Sequence, residues 1–239
     1  MTIIPVTIKS IAQATPTIKV LTLDLSGQEF VYKAGQWIDC YAVIEGERKI
    51  VGYSLTSSPA TTSTIEVAVK ESDNPVTEYV HGAARVGDTL YIEGGQGNVF
   101  YEDGMANKVV LISAGIGVAP LMGILRYINN STNASATMIQ SASTAEEMVY
   151  FSEVSEIAER NHKVCYYTTV TQGEPGEGFG HGRINSEKLL ELDIDTGSLF
   201  FLSGPGGMIP EMEDALRLMG VPDEQIRYEF WWKPSHDTV

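Results

Sequence analysis

Cysteine is scarce in this chain of 239 residues, with only Cys40 and Cys165 present. Two cysteines cannot build the disulfide framework of a small secreted domain, so we expect an intracellular, reducing compartment. They also fall short of the four thiolates that an ordinary iron–sulfur cluster needs. The four histidines are scattered, without the close pairing of a metal motif, and the sequence therefore predicts no metal site.

Basic residues are the second shortage, since 16 Lys and Arg stand against 31 Asp and Glu and give a net charge of -15. A nucleic-acid-binding protein needs a basic surface for the phosphate backbone, so this class of partner is excluded. The first ten residues lack the basic start and continuous apolar core of a secretory signal. We predict a cytoplasmic protein, with mitochondrial delivery of a longer precursor as the alternative.

One long apolar stretch, residues 109–125, is slightly short for a membrane span and is interrupted by three glycines and a proline. Glycine and proline at such spacing are typical of a turn between two elements. We therefore expect a buried strand, a loop and a helix there, and no membrane span.

The first hundred residues predict short strands separated by turn residues. Apolar and polar residues alternate over residues 17–25, which is the period of a half-buried strand. The predicted strands are 17–25, 37–44, 49–55, 64–70 and 89–93. Pro75 begins a short predicted helix over 75–84. Many short strands at this spacing predict a small antiparallel β-barrel.

The pattern changes at residue 108. The nearly continuous apolar run 108–113 is typical of a strand buried on both faces of a parallel sheet. Further predicted elements are helix 118–130, strand 137–140, helix 145–159, strand 163–169, helix 186–192, strand 198–202 and helix 206–219. This βαβ alternation predicts a doubly wound α/β sheet. The polar link 97–107 separates two predicted domains, 1–101 and 102–239.

Two glycine-rich turns stand out in the second half, at residues 113–120 (SAGIGVAP) and 203–208 (SGPGGM). Each follows a predicted strand and precedes a helix, where glycines allow backbone N–H groups to approach a pyrophosphate. The first turn reads GxGxxP rather than GxGxxG, and a tight turn without a ligand is the alternative. Both turns lie at the carboxyl ends of strands, which together favours a ligand site.

With these motifs in order, the chain resembles the ferredoxin-NADP reductase-like superfamily of flavin-dependent NAD(P)H reductases over nearly its whole length. The resemblance rests on GYSL (52–55), AVK (68–70), Thr77, VGD (86–88) and the two glycine-rich turns. Segments 51–59 and 228–232 are most similar to the oxidoreductase NAD-binding domain-containing proteins. The resemblance implies an FAD-binding barrel, with FMN the less favoured flavin, followed by an NAD(P)-binding domain. It implies hydride transfer from NAD(P)H to bound FAD, and electron transfer onward to a separate ferredoxin-like protein, haem protein, quinone or other acceptor.

The resemblance also implies roles for particular residues. Tyr53 lies against the flavin ring, Ser54 donates a hydrogen bond near flavin N5, and Thr77 binds a phosphate. Ser54, Ser203 and Glu229 are the implied catalytic residues. The implied cofactor-binding residues are Tyr53, Ser54, Leu55, Val69, Lys70, Pro75, Val76, Thr77, Gly115, Gly117, Pro120, Gly204, Pro205, Met208 and Trp231. The aromatic terminus 228–232 either covers the flavin or forms a final strand, and Glu229 either relays a proton or is a solvated edge residue.

Three departures from the family pattern leave alternatives open. Val51 occupies the place of an arginine that holds a flavin phosphate in many members, so another cation substitutes or flavin is held weakly. Ser203 replaces the usual cysteine beside the nicotinamide. Residues 140–143 carry no Lys or Arg for a 2′-phosphate, which favours NADH over NADPH. The alternatives are a free-flavin reductase and a non-catalytic dinucleotide-binding electron-transfer subunit.

Overall fold

A computed structural model describes residues 2–61 and 63–229, which form two six-stranded sheets in succession along the chain. In the N-terminal sheet, an eight-residue helix precedes the last strand. The elements are β1 (Ile4–Thr15), β2 (Ile18–Asp24), β3 (Trp37–Ile44), β4 (Glu47–Ser54), β5 (Thr64–Lys70), α1 (Pro75–Gly82) and β6 (Thr89–Gln96).

The N-terminal sheet closes into the predicted antiparallel barrel. Its strands run in the order β4-β3-β6-β1-β2-β5, and every pair of neighbours is antiparallel. The two outer strands meet directly beyond β4, where Leu55 pairs with Val67 and the Thr56 N–H donates to the Glu66 carbonyl at 2.9 Å. Closure satisfies backbone groups that an open edge would leave unpaired.

Helix α1 is capped at its N-terminus and holds Thr77 in a buried position. Asn74 caps the helix by accepting a hydrogen bond from the Val76 N–H at 2.9 Å, and Pro75 occupies the first turn. Val76 and Val80 are fully buried in the barrel core. Burying side chains of this size contributes about 1.5–3 kcal/mol each, which holds the helix in one position.

The second sheet is parallel throughout, with strand order β10-β9-β8-β7-β11-β12. Its strands and helices are β7 (Lys108–Ala114), α2 (Val118–Ser131), β8 (Ser135–Ala142), α3 (Phe151–Arg160), β9 (Val164–Val170), β10 (Gly180–His181), α4 (Ser186–Glu191), β11 (Leu199–Ser203), α5 (Met208–Leu218) and β12 (Ile226–Tyr228). Val109 and Leu111 of β7 pack in the cluster that contains α2 and α3, whereas Val110 and Ile112 pack with α4 and α5. Helices cover both faces, which confirms the predicted doubly wound fold.

The structure corrects one predicted helix and adds strands that the sequence patterns do not reveal. The predicted helix 145–159 is split into a 3-10 turn (Ala145–Glu147) and α3. Between them Tyr150 adopts a left-handed conformation with φ 65, because tertiary contacts of its ring and hydroxyl outweigh helix propensity. Strand β1 was not predicted, and a register shift between Ile8 and Ser10 interrupts its alternation. None of the helices in the described part of the chain has the length and apolarity needed to cross a bilayer.

The two domains meet along α2. A Cβ atom on Gly123 would lie 2.6 Å from the Leu55 carbonyl oxygen, so only glycine allows this close approach. One turn later, Arg126 reaches the barrel and donates from Nη1 to the Thr56 carbonyl at 2.9 Å and to the Glu66 carboxylate at 2.6 Å. Helix α2 is therefore fixed against the segment that directly follows β4.

Arg126 is the centre of a half-buried polar cluster that spans both domains. Its Nε and Nη2 donate to the two carboxylate oxygens of Glu153 at 2.7 and 2.6 Å, and the guanidinium lies 5.1 Å from the Tyr150 ring centroid. Glu66 also accepts from the hydroxyls of Thr56 and Tyr150, at 2.7 and 3.1 Å. Burial alone would lower the pKa of Arg126, but the hydrogen bonds and charges of Glu153 and Glu66 outweigh it and raise the pKa.

We expect Arg126→Met to destabilise the protein by about 3 kcal/mol, because it leaves two carboxylates in the domain junction without their cation. The free energy of unfolding, measured by denaturant titration, checks this. Arg160→Met is the matched control, since Arg160 pairs with Glu156 on an exposed helix surface and such pairs contribute about 1 kcal/mol or less. A loss for Arg126→Met no larger than the loss for Arg160→Met would contradict the expectation.

Candidate functional site

A cavity of about 500 Å³ lies between the barrel and the parallel sheet, and both domains contribute to its wall. Most of the residues singled out from the sequence meet there. The barrel supplies Tyr53, Ser54, Lys70 and Thr77, and the parallel sheet supplies Gly115, Gly117, Pro120, Ser203, Gly204 and Pro205. We refer to this space as the junction cavity.

Tyr53 and Thr77 form a buried pair on the barrel side. The Tyr53 hydroxyl and Thr77 Oγ1 are 2.8 Å apart, and the two residues are 8% and 2% exposed. Burial raises the pKa of the Tyr53 phenol, and the hydrogen bond to Thr77 offsets only part of this rise. The phenol therefore stays neutral at physiological pH and offers an uncharged aromatic ring at the cavity wall. Ser54, the last residue of β4, lies next to it.

The two glycine-rich turns come into direct contact at the sheet side. They follow β7 and β11, which are neighbouring strands with Ser113 and Ser203 in register. A Cβ atom on Gly117 would lie 2.3 Å from the Ser203 carbonyl oxygen, and one on Gly204 would lie 2.9 Å from Met208 Sδ. At position 117 only glycine permits this approach of two backbones, which places main-chain groups at the start of α2 along the cavity.

Ser203 lines the junction cavity and carries a buried hydroxyl that has no partner within the described part of the chain. The residue is 5% exposed, and its Oγ has no hydrogen-bond partner among the described residues. A buried polar group without a partner costs about 1–3 kcal/mol, so a ligand that supplies the partner is favoured. The glycine contact and this hydroxyl together fit a nicotinamide dinucleotide on the sheet side.

A second cavity of about 350 Å³, here called the distal cavity, continues from the first. The two share Lys70, Ala114, Gly115 and Pro205. The distal cavity extends past the carboxyl ends of β8 and β9, and its wall includes Ser141, Ser143, Thr171, Arg183 and Met208. Ligands of doubly wound sheets bind outside the carboxyl ends of the strands. The two cavities in series therefore suit an elongated ligand with two halves.

Several residues implied by the resemblance do not line the junction cavity. Leu55, Val69 and Val76 are fully buried in the barrel core, and the N–H groups of Leu55 and Val76 are already bonded to Gln36 and Asn74. They support neighbouring wall residues, as does Pro75 in the first turn of α1. Direct contact of these four residues with a cofactor stays a prediction.

The C-terminal candidates also lie away from the cavity wall or beyond the described residues. Glu229 lies beside Gly97, where its Oε2 would be 3.1 Å from an added Cβ, and it does not line either cavity. Trp231 lies outside the described residues. The catalytic role of Glu229 and the cofactor contact of Trp231 stay predictions.

Sequence patterns alone missed three charged residues of the distal cavity, Glu147, Arg183 and Glu211. Arg183 lies forty residues beyond segment 140–143, where the sequence showed no cation. The parallel pairing of β8, β9 and β10 brings these positions together, and no local motif signals that pairing. Val51 does line the junction cavity, so the expected arginine is absent from that part of the wall.

Comparisons with known proteins agree with this geometry. A family model for the oxidoreductase FAD-binding domain matches residues 5–101, and one for the oxidoreductase NAD-binding domain matches residues 111–214. Oxidoreductase NAD-binding domain-containing protein 1 from Danio rerio is 28% identical over 244 residues, covering 93% of this chain and 89% of the relative. The glycine betaine monooxygenase reductase subunit from Chromohalobacter salexigens is 31% identical over 200 residues, covering 80% of this chain and 54% of the relative.

Solved structures show the same two-domain fold. The FAD/NAD-binding domain of nitric oxide dioxygenase from Vibrio cholerae matches with a TM-score of 0.83 and 25% identity, covering 94% of this chain and 97% of that one. A ferredoxin NADP+ reductase from Neisseria gonorrhoeae, solved with bound FAD and NADP, matches with a TM-score of 0.79 and 20% identity, covering 96% of this chain and 98% of that one.

The fold and the shared cavity thus define a two-domain oxidoreductase with an FAD-binding and an NAD-binding domain. The chain combines the oxidoreductase FAD-binding and NAD-binding domains in one molecule, and it has the fold of a ferredoxin NADP+ reductase.

We expect Thr77→Val to weaken FAD binding and lower stability, because it leaves the Tyr53 hydroxyl buried without a partner at a cost of about 1–3 kcal/mol. Flavin-fluorescence titration and thermal unfolding measure the two effects. Thr77→Ser keeps a hydroxyl at this position and should retain most of both. Equal behaviour of the two variants would show that the Tyr53–Thr77 hydrogen bond is unimportant.

Gly117→Ala should disrupt the sheet side of the junction cavity, because its methyl group overlaps the Ser203 backbone and overpacking of this kind costs about 1–3 kcal/mol. We expect weaker binding of NAD⁺, measured by calorimetry, and a lower unfolding temperature. Gly82→Ala is the control, since no heavy atom lies within 4 Å of its added methyl group. If both variants behave like the parent protein, the two turns do not depend on their close contact.

Proposed function

We propose that this protein catalyses hydride transfer from NAD(P)H to FAD bound in its barrel domain, and passes the electrons on to a separate acceptor. The observation that carries the proposal is a single cavity lined by β4 and α1 of the barrel and by both glycine-rich turns of the parallel sheet. A cofactor on the barrel side and a coenzyme on the sheet side would meet there without any domain movement.

The residues of the chain have distinct tasks in this proposal. When bound, FAD supplies the centre that accepts the hydride. Tyr53 provides a neutral aromatic surface for stacking, and Ser54 provides a hydroxyl at the end of β4. Gly117 and Gly204 give a coenzyme access to the backbone, and Ser203 offers the nicotinamide side a hydrogen-bonding group. Holding both reactants in a near-attack geometry is itself a large contribution to rate.

The acceptor in this proposal is carried by another molecule. The relative named as a reductase subunit of a monooxygenase supports a redox protein in that role. Val51 favours one alternative, a free-flavin reductase that releases reduced flavin. In that case the wall position without arginine would reflect weak, reversible binding.

The first experiment records the visible absorption spectrum of the purified protein before and after anaerobic addition of NADH. We expect flavin bands that survive gel filtration and bleach promptly on reduction, followed by reoxidation when ferricyanide is added. Bands that are lost on gel filtration, with turnover only in added flavin, would support the free-flavin alternative. A colourless protein that stays inert with added FAD and either coenzyme would contradict the proposal and favour a non-catalytic dinucleotide-binding subunit.

A further inference from the structure

One outer strand of the parallel sheet is left open along most of its length. Strand β10 pairs only with Thr169 and Val170 of β9, and within residues 2–61 and 63–229 no other strand lies on that side of the sheet. The first four residues of β9, 164–167, therefore form an exposed edge. Such an edge presents unpaired backbone groups, and it is a template for pairing with another chain.

A backbone hydrogen bond to β8 shows which residues of this edge point outward. The Ala136 N–H donates to the Lys163 carbonyl at 3.0 Å. Because the backbone groups of successive strand residues point to opposite sides, those of Val164 and Tyr166 are directed away from β8. The Val164 N–H is already bonded to the Asn161 carbonyl at 2.8 Å. The groups left for a further strand are the Val164 carbonyl and both backbone groups of Tyr166.

The side of this edge that faces α4 is also uncovered. Tyr167 is in register with Ile139, which packs in the cluster of α4 and α5, yet Tyr167 is 38% exposed and Cys165 is exposed as well. Helix α4 is only six residues long and ends at Glu191. A cavity of about 400 Å³ lies between it and β9, and both Tyr167 and Glu191 belong to its wall. We refer to this space as the edge cavity.

One charge of each sign flanks the open edge without an ion pair. Lys163 directly precedes β9, and among the described residues its Nζ contacts only the Asn133 carbonyl, at 3.4 Å. Glu191 is exposed at the edge cavity and has no cationic partner in the described part of the chain. The surface thus carries a cation at the start of β9 and a carboxylate farther along it. A surface with this distribution of charge is complementary to a second copy of itself.

We propose that the open edge of β9 is a dimerisation surface, on which a second copy of this chain pairs its own β9 in antiparallel orientation. A two-fold axis brings such a surface against itself, and two identical edges then form one continuous sheet. With the axis at Cys165, the pairing stays within the open part of the strand, because β10 occupies the edge from Thr169 onward. Tyr166 of each copy donates its N–H to the Val164 carbonyl of the other.

The same register joins the two unpaired charges. Lys163 of each copy lies opposite Tyr167 of the other, beside the edge cavity and its Glu191. The apolar stem of the lysine covers the exposed tyrosine ring, and its ammonium group reaches the carboxylate. Two identical contacts of this kind form in each dimer.

The net charge of -15 makes unspecific association between copies unfavourable, so the local charges decide which surfaces meet. Segment 160–171 carries two cations, Arg160 and Lys163, and no carboxylate. At physiological ionic strength, charges separated by more than about 8 Å are largely screened. An extended peptide of another protein could use the same backbone groups, but it would not require Lys163 and Glu191 of two identical chains.

The test measures association of the FAD-loaded protein by sedimentation velocity over a series of concentrations. We expect a reversible monomer–dimer equilibrium. Lys163→Glu and Glu191→Lys each bring like charges together at two contacts per dimer, and each should raise the dimer dissociation constant by about 10-fold or more. The double variant exchanges the two charges and should recover most of the affinity. Lys9→Glu is the matched control, since Lys9 is exposed on the barrel and its replacement changes the net charge equally.

Cys165 reports the register of the two strands. Opposite residues of a non-hydrogen-bonded antiparallel pair have Cα atoms about 4.5 Å apart, which lies within the range of about 4.4–6.8 Å found for disulfides. We expect mild oxidation with copper–phenanthroline to link two wild-type chains. Cys165→Ser should abolish this link and leave the dissociation constant unchanged. Cys40 is 1% exposed and does not substitute for Cys165.

Three results would overturn the proposal. The first is a wild-type protein that stays monomeric at every concentration, even if it binds an extended peptide. The second is a dimer that responds to Lys163→Glu and Glu191→Lys no more than to Lys9→Glu, because it must then use another surface. The third is a dimer that Cys165 does not link.

The same variants keep this inference separate from the proposed function. Lys163, Cys165 and Glu191 line neither the junction cavity nor the distal cavity. Bleaching of the flavin by NADH should therefore be equal in the wild type and in all the variants, whichever oligomeric state they adopt. Loss of bleaching in the wild type would contradict the proposed function alone.

Discussion

The arrangement of the site depends on one interaction, the bridge from Arg126 to Glu66 and Glu153. Neither domain forms the junction cavity alone, since β4 and α1 supply one wall and the turns before α2 and α5 supply the other. Arg126 lies on the same helix that begins at the first glycine-rich turn, and it bonds the segment that directly follows Tyr53 and Ser54. The bridge thus fixes the first glycine-rich turn relative to β4.

Close backbone contacts restrain the two domains further, in addition to the ion pairs of Arg126. Gly123 allows α2 to lie against the Leu55 carbonyl, and Gly117 allows its turn to lie against Ser203. Both glycines belong to the segment from the first turn into α2, so one continuous stretch of chain contacts the barrel and the second glycine-rich turn. Interiors packed at this density transmit small displacements rather than absorb them. A precise distance between the two halves of the site follows from these contacts.

The sequence predicted the architecture well where local pattern determines structure. Alternating and short apolar runs predict five of the six barrel strands, a continuous apolar run predicts β7, and glycine spacing identifies both turns that line the cavity. The prediction failed at Tyr150, where contacts with Arg126 and Glu66 impose a left-handed residue on a helical pattern. It also missed Arg183 and Glu147, because long-range strand pairing brings them together. Local sequence periodicity does not indicate such long-range contacts.

The distribution of charge along the two cavities gives each half a different mode of binding. Lys70 and Glu71 are the charged residues that line the junction cavity within the described part of the chain, and β4 contributes the apolar Val51 to this wall instead of a cation. Binding there must draw mainly on apolar burial, aromatic stacking and backbone groups. The distal cavity instead combines two cations with two carboxylates, so electrostatic interactions would contribute most to ligand recognition there. Lys70 belongs to both walls and places its positive charge where the two ligand halves would meet. In the proposed function, a flavin held by apolar burial and stacking would stay bound, whereas a coenzyme bound through charged groups would exchange. A reductase that acts in repeated cycles requires this difference.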